Sequence, residues 1–195
     1  MESKVNAFRA LDAICPEHTI LASNTSALPI SSMAAATKRQ PKVIGIHFMN
    51  PVAVMKGVEI IPGRHTSGET LQSSKDFVRS LGKEPCEAVD YAGFIVSRIL
   101  DAMMNEAFYC VMDGNKPEEV DRAMRTCCNF PMGPLELCDL VGADIVYHGL
   151  ETMQKEFGER LRPAPVLISM VRAGELGRKT GRGFYDYGKL DGYSA

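Results

Sequence analysis

The sequence has no surplus of basic residues, no cysteine pair at metal-ligand spacing and no apolar run long enough to cross a bilayer. Each absence removes a class of function. With 22 Lys and Arg against 24 Asp and Glu, and no local cluster of basic side chains, nothing stands ready to neutralise a phosphate backbone, so no nucleic-acid partner is expected. The six cysteines (Cys15, Cys86, Cys110, Cys127, Cys128 and Cys138) show no CxxC spacing. Most have apolar neighbours in the chain, where a reduced thiol behaves as a small hydrophobe, so neither a zinc site nor a disulfide framework is expected. No run approaches the roughly 20 apolar residues of a membrane-spanning helix, and the N-terminal MESKVNAFRALDAIC carries acids that signal and transit peptides avoid. The expectation is a cytoplasmic protein with no membrane partner. What is present is 195 residues at 45% hydrophobic content, enough for one good core or two small ones.

The apolar pattern divides the chain near Asp90. Over residues 1–90 helix and strand alternate. Val5, Phe8, Leu11, Ala13 and Ile14 recur at helical spacing until Pro16, and the β-rich TILAS (Thr19 to Ser23) follows. A helix is predicted from Ile30 to Thr37, then the strand KVIGIHF, a turn in NPVAVMKG, the strand VEII (Val58 to Ile61), a polar helix from Glu69 to Leu81 and a strand from Glu84 to Val89. Strands separated by helices predict parallel pairing in a helix-covered sheet, half of an α/β domain. Residues 91–195 read as all helical. From Gly93 to Met112 apolar residues wrap well over half the girth of a long helix, which predicts burial under other helices or against a second subunit. Asp113-Gly114 ends it, Pro117 suits the first turn of the next helix, and FPMGPLELCDLVGADIV gives a Gly-Pro break and a further helix.

In an open parallel sheet, ligands collect where the strands finish. Two polar clusters fall there: SNTS (Ser23 to Ser26) after TILA, and His47 to Asn50 after KVIGI. Taken alone, His47 is either a chemical group or a strand-end histidine bonded to backbone, and Asn24 and Ser26 are ordinary turn or capping residues. Glu59 narrows the choice. It interrupts the apolar VEII, where an ionised carboxylate needs a partner or loses several kcal/mol of hydration. A histidine suits it, because a carboxylate on one ring nitrogen fixes the tautomer and leaves the other nitrogen to take a proton. The alternative is a Glu on a solvent-facing edge.

SNTSALPIS, GIHFMNPVAVMKGVEII, GFIVSRIL, FPMGPLELCDLVGADI and GRKTGRGFYDY occur in this order, and through them the sequence resembles the L-3-hydroxyacyl-CoA dehydrogenase family over essentially its whole length. The resemblance implies an NAD-binding α/β domain followed by a helical domain that dimerises and helps enclose an acyl-CoA substrate. It further implies an oxidoreductase of fatty-acid β-oxidation that moves hydride between C3 of a 3-hydroxyacyl-CoA and NAD. Matched position by position, His47 resembles the general base, Glu59 the carboxylate that orients it, Ser26 a serine touching substrate and cofactor, and Asn50 a residue beside the nicotinamide. Lys4 and Lys179 fall on cofactor-contacting lysines.

Two departures stand out. No strand followed by G-x-G-x-x-G and a helix is present, and the glycines of GELGRKTGRG (Gly174 to Gly183) fit neither that fingerprint nor a Walker A loop. The resemblance therefore implies the C-terminal half of a Rossmann-type NAD-binding domain (1–90), then a helical dimerisation domain (91–195), with weak NAD binding by this polypeptide alone. Second, Ser97 stands in GFIVSR where the family has asparagine, among the residues that act on substrate. Serine keeps one donor but reaches less far, and losing one donor to a reacting oxygen costs on the order of 10²-fold in rate. Ala92 replaces a proline that usually precedes the Gly-Phe pair. Two alternatives belong beside the dehydrogenase: a non-catalytic dimerising or regulatory protein, and a related dehydrogenase of an L-gulonate-type sugar acid.

Overall fold

A computed structural model describes residues 2–26 and 28–188; the end of the expected second domain, 189–195, lies outside the described residues. The chain divides into two compact units after Ile95. The first contains α1 (Glu2–Ile14), β1 (Leu21–Ser23), α2 (Ile30–Ala34), β2 (Val43–Phe48), β3 (Gly57–Pro62), α3 (Gly68–Ser80) and β4 (Glu84–Glu87). Its sheet has the order β1-β2-β3-β4.

The sheet is mixed. β1 pairs with β2, and β3 with β4, in parallel, but β2 and β3 are antiparallel. This corrects the expectation of parallel pairing throughout. A parallel partner needs a crossover of about a dozen residues or more, usually a helix. Residues 49–56 carry none, so the chain turns back beside itself.

Apolar side chains cover the sheet on both faces. One cluster joins Phe8 of α1, Ile30 and Met33 of α2, and Leu21, Val43 and Ile61 of the strands. The other joins Ile44, Ile46, Val58 and Ile60 with Val78 of α3. Gly45 permits α2 to approach, since a Cβ there would lie 2.8 Å from Ile30 Cδ1. The helix expected to reach Thr37 stops at Ala34, whose carbonyl accepts the Thr37 hydroxyl at 2.9 Å. Its other end is held by Asp90, which accepts from the backbone N–H groups of Ile30 (2.7 Å) and Ser31 (2.8 Å). β4 ends at Glu87, short of the expected Val89.

The second unit is helical: α4 (Val96–Met112), α5 (Pro117–Cys128), α6 (Pro134–Val141), α7 (Ala143–Phe157) and α8 (Pro165–Ala173). Proline opens α5, α6 and α8, where a missing N–H costs nothing. α4 begins three residues later than expected, because Gly93 and Phe94 hold positive φ angles of 74° and 48°. Its buried residues are Met104, Asn105, Ala107 and Phe108, while Ile99 is 61% exposed. Burial around most of its girth is therefore not achieved within the unit. The cysteine expectation also needs correcting: Cys138 is buried, but Cys86 on edge strand β4 and Cys127 and Cys128 in the last turn of α5 are exposed. No helix among the described residues is long and apolar enough to cross a membrane.

Two buried aspartates tie the C-terminal segment to this unit. Asp121 accepts from the N–H groups of Leu135 (2.8 Å) and Glu136 (2.9 Å) and from the Tyr185 hydroxyl (2.7 Å). Asp139 accepts from the N–H groups of Phe184 and Tyr185, both at 3.0 Å, and from the Tyr187 hydroxyl at 3.1 Å. The glycines of the segment serve this packing, since a Cβ at Gly183 would lie 2.1 Å from Asp139 Oδ1. Asp101 of α4 differs. It fills the space beside Gly149 of α7, where a Cβ would lie 2.4 Å from Asp101 Oδ2, and burial pushes its pKa from 3.8 up to about 7.

Two stability effects are expected. Asp121→Asn turns an amide donor towards groups that are themselves donors, and should lower the unfolding free energy by about 2–4 kcal/mol in denaturant titration. For Asp101 the folded unit holds a proton that the unfolded chain releases, so its contribution is complete below pH 3.8 and is lost as pH rises towards 7. Asp101→Asn keeps the shape without the charge. It should melt above the parent at alkaline pH, and the difference should shrink steadily as the pH falls towards the ordinary carboxylate range.

Candidate active site

Register brings the central pair together. His47 of β2 lies directly opposite Glu59 of β3, and facing residues of an antiparallel pair project to the same side with Cβ atoms about 5 Å apart. His47 Nδ1 is 2.8 Å from Glu59 Oε2. Both side chains are buried, His47 at 8% exposure and Glu59 at 2%. The second carboxylate oxygen, Oε1, accepts the Ile95 N–H at 3.0 Å. An ionised carboxylate only accepts, so Nδ1 must donate, and the lone pair of the neutral ring is left on Nε2. Nε2 has no hydrogen-bond partner among the described residues. The Phe94 ring stands edge-on to the imidazole, with centroids 5.9 Å apart and planes at 61°.

β1 and β2 are parallel, so their carboxyl ends open on one rim of the sheet. After β1, Asn24 Oδ1 accepts the Phe48 N–H at 2.9 Å and ties the two strand ends together. Thr25 Oγ1 accepts the Leu28 N–H at 3.1 Å and shapes the turn that carries Ser26. Ser26 and Asn50 are both exposed beyond these strand ends, and the Asn50-Pro51 peptide is cis.

The remaining sequence candidates are on α1 and in the second unit. Lys4 is exposed in the first turn of α1. Ser97 is half-buried in the first turn of α4, and Lys179 lies in the 3₁₀ turn Arg178–Thr180; both belong to the second unit. The Lys179 ammonium is engaged by Asp144, the acid in the first turn of α7. Sequence reasoning missed the Ile95 N–H, the Phe94 ring and the Asn24 tie. A backbone amide leaves no trace in residue identity, and Asn24 reads as an ordinary turn residue until its partner strand is known.

Known proteins carry the same architecture. Residues 1–91 match the family profile "3-hydroxyacyl-CoA dehydrogenase, NAD binding domain", and residues 93–187 match "3-hydroxyacyl-CoA dehydrogenase, C-terminal domain". A probable 3-hydroxybutyryl-CoA dehydrogenase of Bacillus subtilis is 50% identical over 96% of this chain and 66% of its own length. The 3-hydroxybutyryl-CoA dehydrogenase of Clostridioides difficile is 48% identical over 97% of this chain and 68% of its own. The crystal structure of (S)-3-hydroxybutyryl-CoA dehydrogenase from Ralstonia eutropha superposes with a TM-score of 0.93 at 44% identity, covering 97% of this chain and 68% of that one. The chain thus spans about two thirds of the length of these relatives. Continuous similarity through both units, at this identity, establishes that the chain belongs to the 3-hydroxyacyl-CoA dehydrogenase family.

Proposed function

We propose that this chain carries the proton-transfer machinery for hydride exchange between C3 of a 3-hydroxyacyl-CoA and NAD. The observation that supports it most directly is the buried contact of 2.8 Å between His47 Nδ1 and Glu59 Oε2, with no partner for Nε2 among the described residues. In the oxidative direction Nε2 takes the proton of the C3 hydroxyl, and the adjacent carboxylate stabilises the imidazolium that forms. In the reductive direction the same nitrogen returns the proton to the forming alkoxide. NAD, when bound, supplies the hydride acceptor.

Ser26 and Asn50 suit the nicotinamide end of that cofactor, since a hydroxyl and a carboxamide are each exposed beyond the carboxyl end of one of two parallel strands. Ser97 is proposed to donate to the reacting oxygen. Lys4 and Lys179 are proposed as cofactor contacts, and Lys179 must then exchange its Asp144 partner. Cofactor affinity of the 195-residue polypeptide by itself is proposed to be weak, because its sequence contains no G-x-G-x-x-G turn to hold a pyrophosphate. The helical unit is proposed to pair with a second copy, which would cover Ile99 and Met112 of α4, exposed at 61% and 47%. The proposed location is the cytoplasm.

The test is acetoacetyl-CoA reduction by NADH, followed through loss of NADH absorbance at saturating cofactor. Glu59→Gln should lower kcat by on the order of 10²-fold or more, with KM for the thioester little changed, and His47→Ala should remove turnover. An unchanged rate in His47→Ala would end the reading. Ser97→Asn restores the longer donor and should raise kcat by about 10-fold or more. A fall instead would show that this position does not face the reacting oxygen.

A further inference from the structure

We infer that Phe94 is a positioning residue for the His47–Glu59 pair, setting the imidazole through its ring and the carboxylate through its backbone. The inference rests on the pairing described above and adds the element that holds it. Gly93 and Phe94 are consecutive residues in the left-handed region, at φ 74° and 48°. Glycine adopts that conformation freely, but a residue with a Cβ does so at a cost, and a bulky ring is among the least suited. Among the described residues one other non-glycine has positive φ: Asn129, which caps α5 in the left-handed form that asparagine tolerates. Phe94 has no such role, since α4 starts two residues later.

A strained conformation of this kind persists only where several contacts determine it together. Four do so here. The Phe94 N–H donates to Tyr91 O at 2.9 Å and closes the turn. Its ring is 5% exposed and packs in the cluster containing Phe8, Leu21, Ile30 and Met33. The ring also stands edge-on to His47, 5.9 Å between centroids. The next N–H, from Ile95, meets Glu59 Oε1 at 3.0 Å. An ordinary negative φ at position 94 would rotate the following peptide and carry that N–H away from the carboxylate. With Oε1 held, Oε2 faces Nδ1 in one orientation. With the ring edge against it, the imidazole keeps the plane that makes this hydrogen bond.

The tautomer of His47 reads this directly and needs no turnover. Long-range ¹H–¹⁵N NMR of the full chain resolves the tautomers of its four histidines, with His47 assigned by its loss in His47→Gln. The parent should show the Nδ1–H form, and Glu59→Gln should abolish that preference. Phe94→Leu and Phe94→Met remove the ring while keeping most of the apolar volume. Each should shift the tautomer ratio towards Nε2–H by roughly 3- to 10-fold, the equilibrium counterpart of losing an aromatic contact. Phe94→Tyr keeps the ring and should keep the parental spectrum. If either the Leu or the Met variant shows the parental ratio while only its melting temperature falls, Phe94 is a packing residue and the inference is overturned, with the pair itself intact. A parent lacking the Nδ1–H preference would remove the pairing and this inference together.

Discussion

Glu59 is a carboxylate in the interior of a strand, at 2% exposure, and the first unit is arranged around its two oxygens. An unpaired charge in such a place costs several kcal/mol, so both oxygens need donors. One receives the His47 ring and the other the Ile95 N–H. The first requirement sets the register between β2 and β3, because a one-residue slip would send the histidine to the opposite face. The second requires that residues 93–95 turn through left-handed backbone before α4 begins. A single desolvated charge thus links strand pairing, the end of the first unit and the tautomer of a histidine.

The second unit uses buried carboxylates differently. Asp121 and Asp139 each accept from two backbone N–H groups and a tyrosine hydroxyl, and together they anchor the segment from Phe184 to Tyr187. Burial holds the pKa of Asp139 above the ordinary carboxylate value, and the N–H groups of Phe184 and Tyr185 and the Tyr187 hydroxyl offset only part of that rise. Asp101 has burial without those donors, and its pKa rises to about 7. The contrast shows what hydrogen bonds contribute: donors converging on Asp139 oppose the rise that burial imposes, and at Asp101 burial acts without them.

Much of this was legible in the residues. Helical spacing located α1, and prolines marked the starts of α5 and α6, because both signals depend on neighbours a few positions apart. Glu59 was conspicuous for a physical reason, since a charge inside VEII must be compensated wherever the strand lies. The direction of β3 was misread. Alternating helices and strands suggested parallel pairing throughout, although the short, helix-free 49–56 segment is the feature that forbids it between β2 and β3. The C-terminal limit of α2 and the start of α4 also escaped: the first falls where the Thr37 hydroxyl meets the Ala34 carbonyl, and the second follows left-handed backbone at 93–94 that brings the Ile95 N–H to Glu59 from far along the chain.

By itself the sequence determined which segments form helices and strands, that the chain falls into an α/β and a helical part, and that one carboxylate needs a partner. Those properties follow from local periodicity, backbone preference and the cost of desolvating a charge. Only the tertiary structure decided that the partner is His47, that two strands run in opposite directions to bring it there, and that a phenylalanine in left-handed backbone holds the arrangement. Each of these depends on hydrogen bonds and ring contacts between residues 12 to 47 positions apart, for which residue identity alone carries no geometric signal.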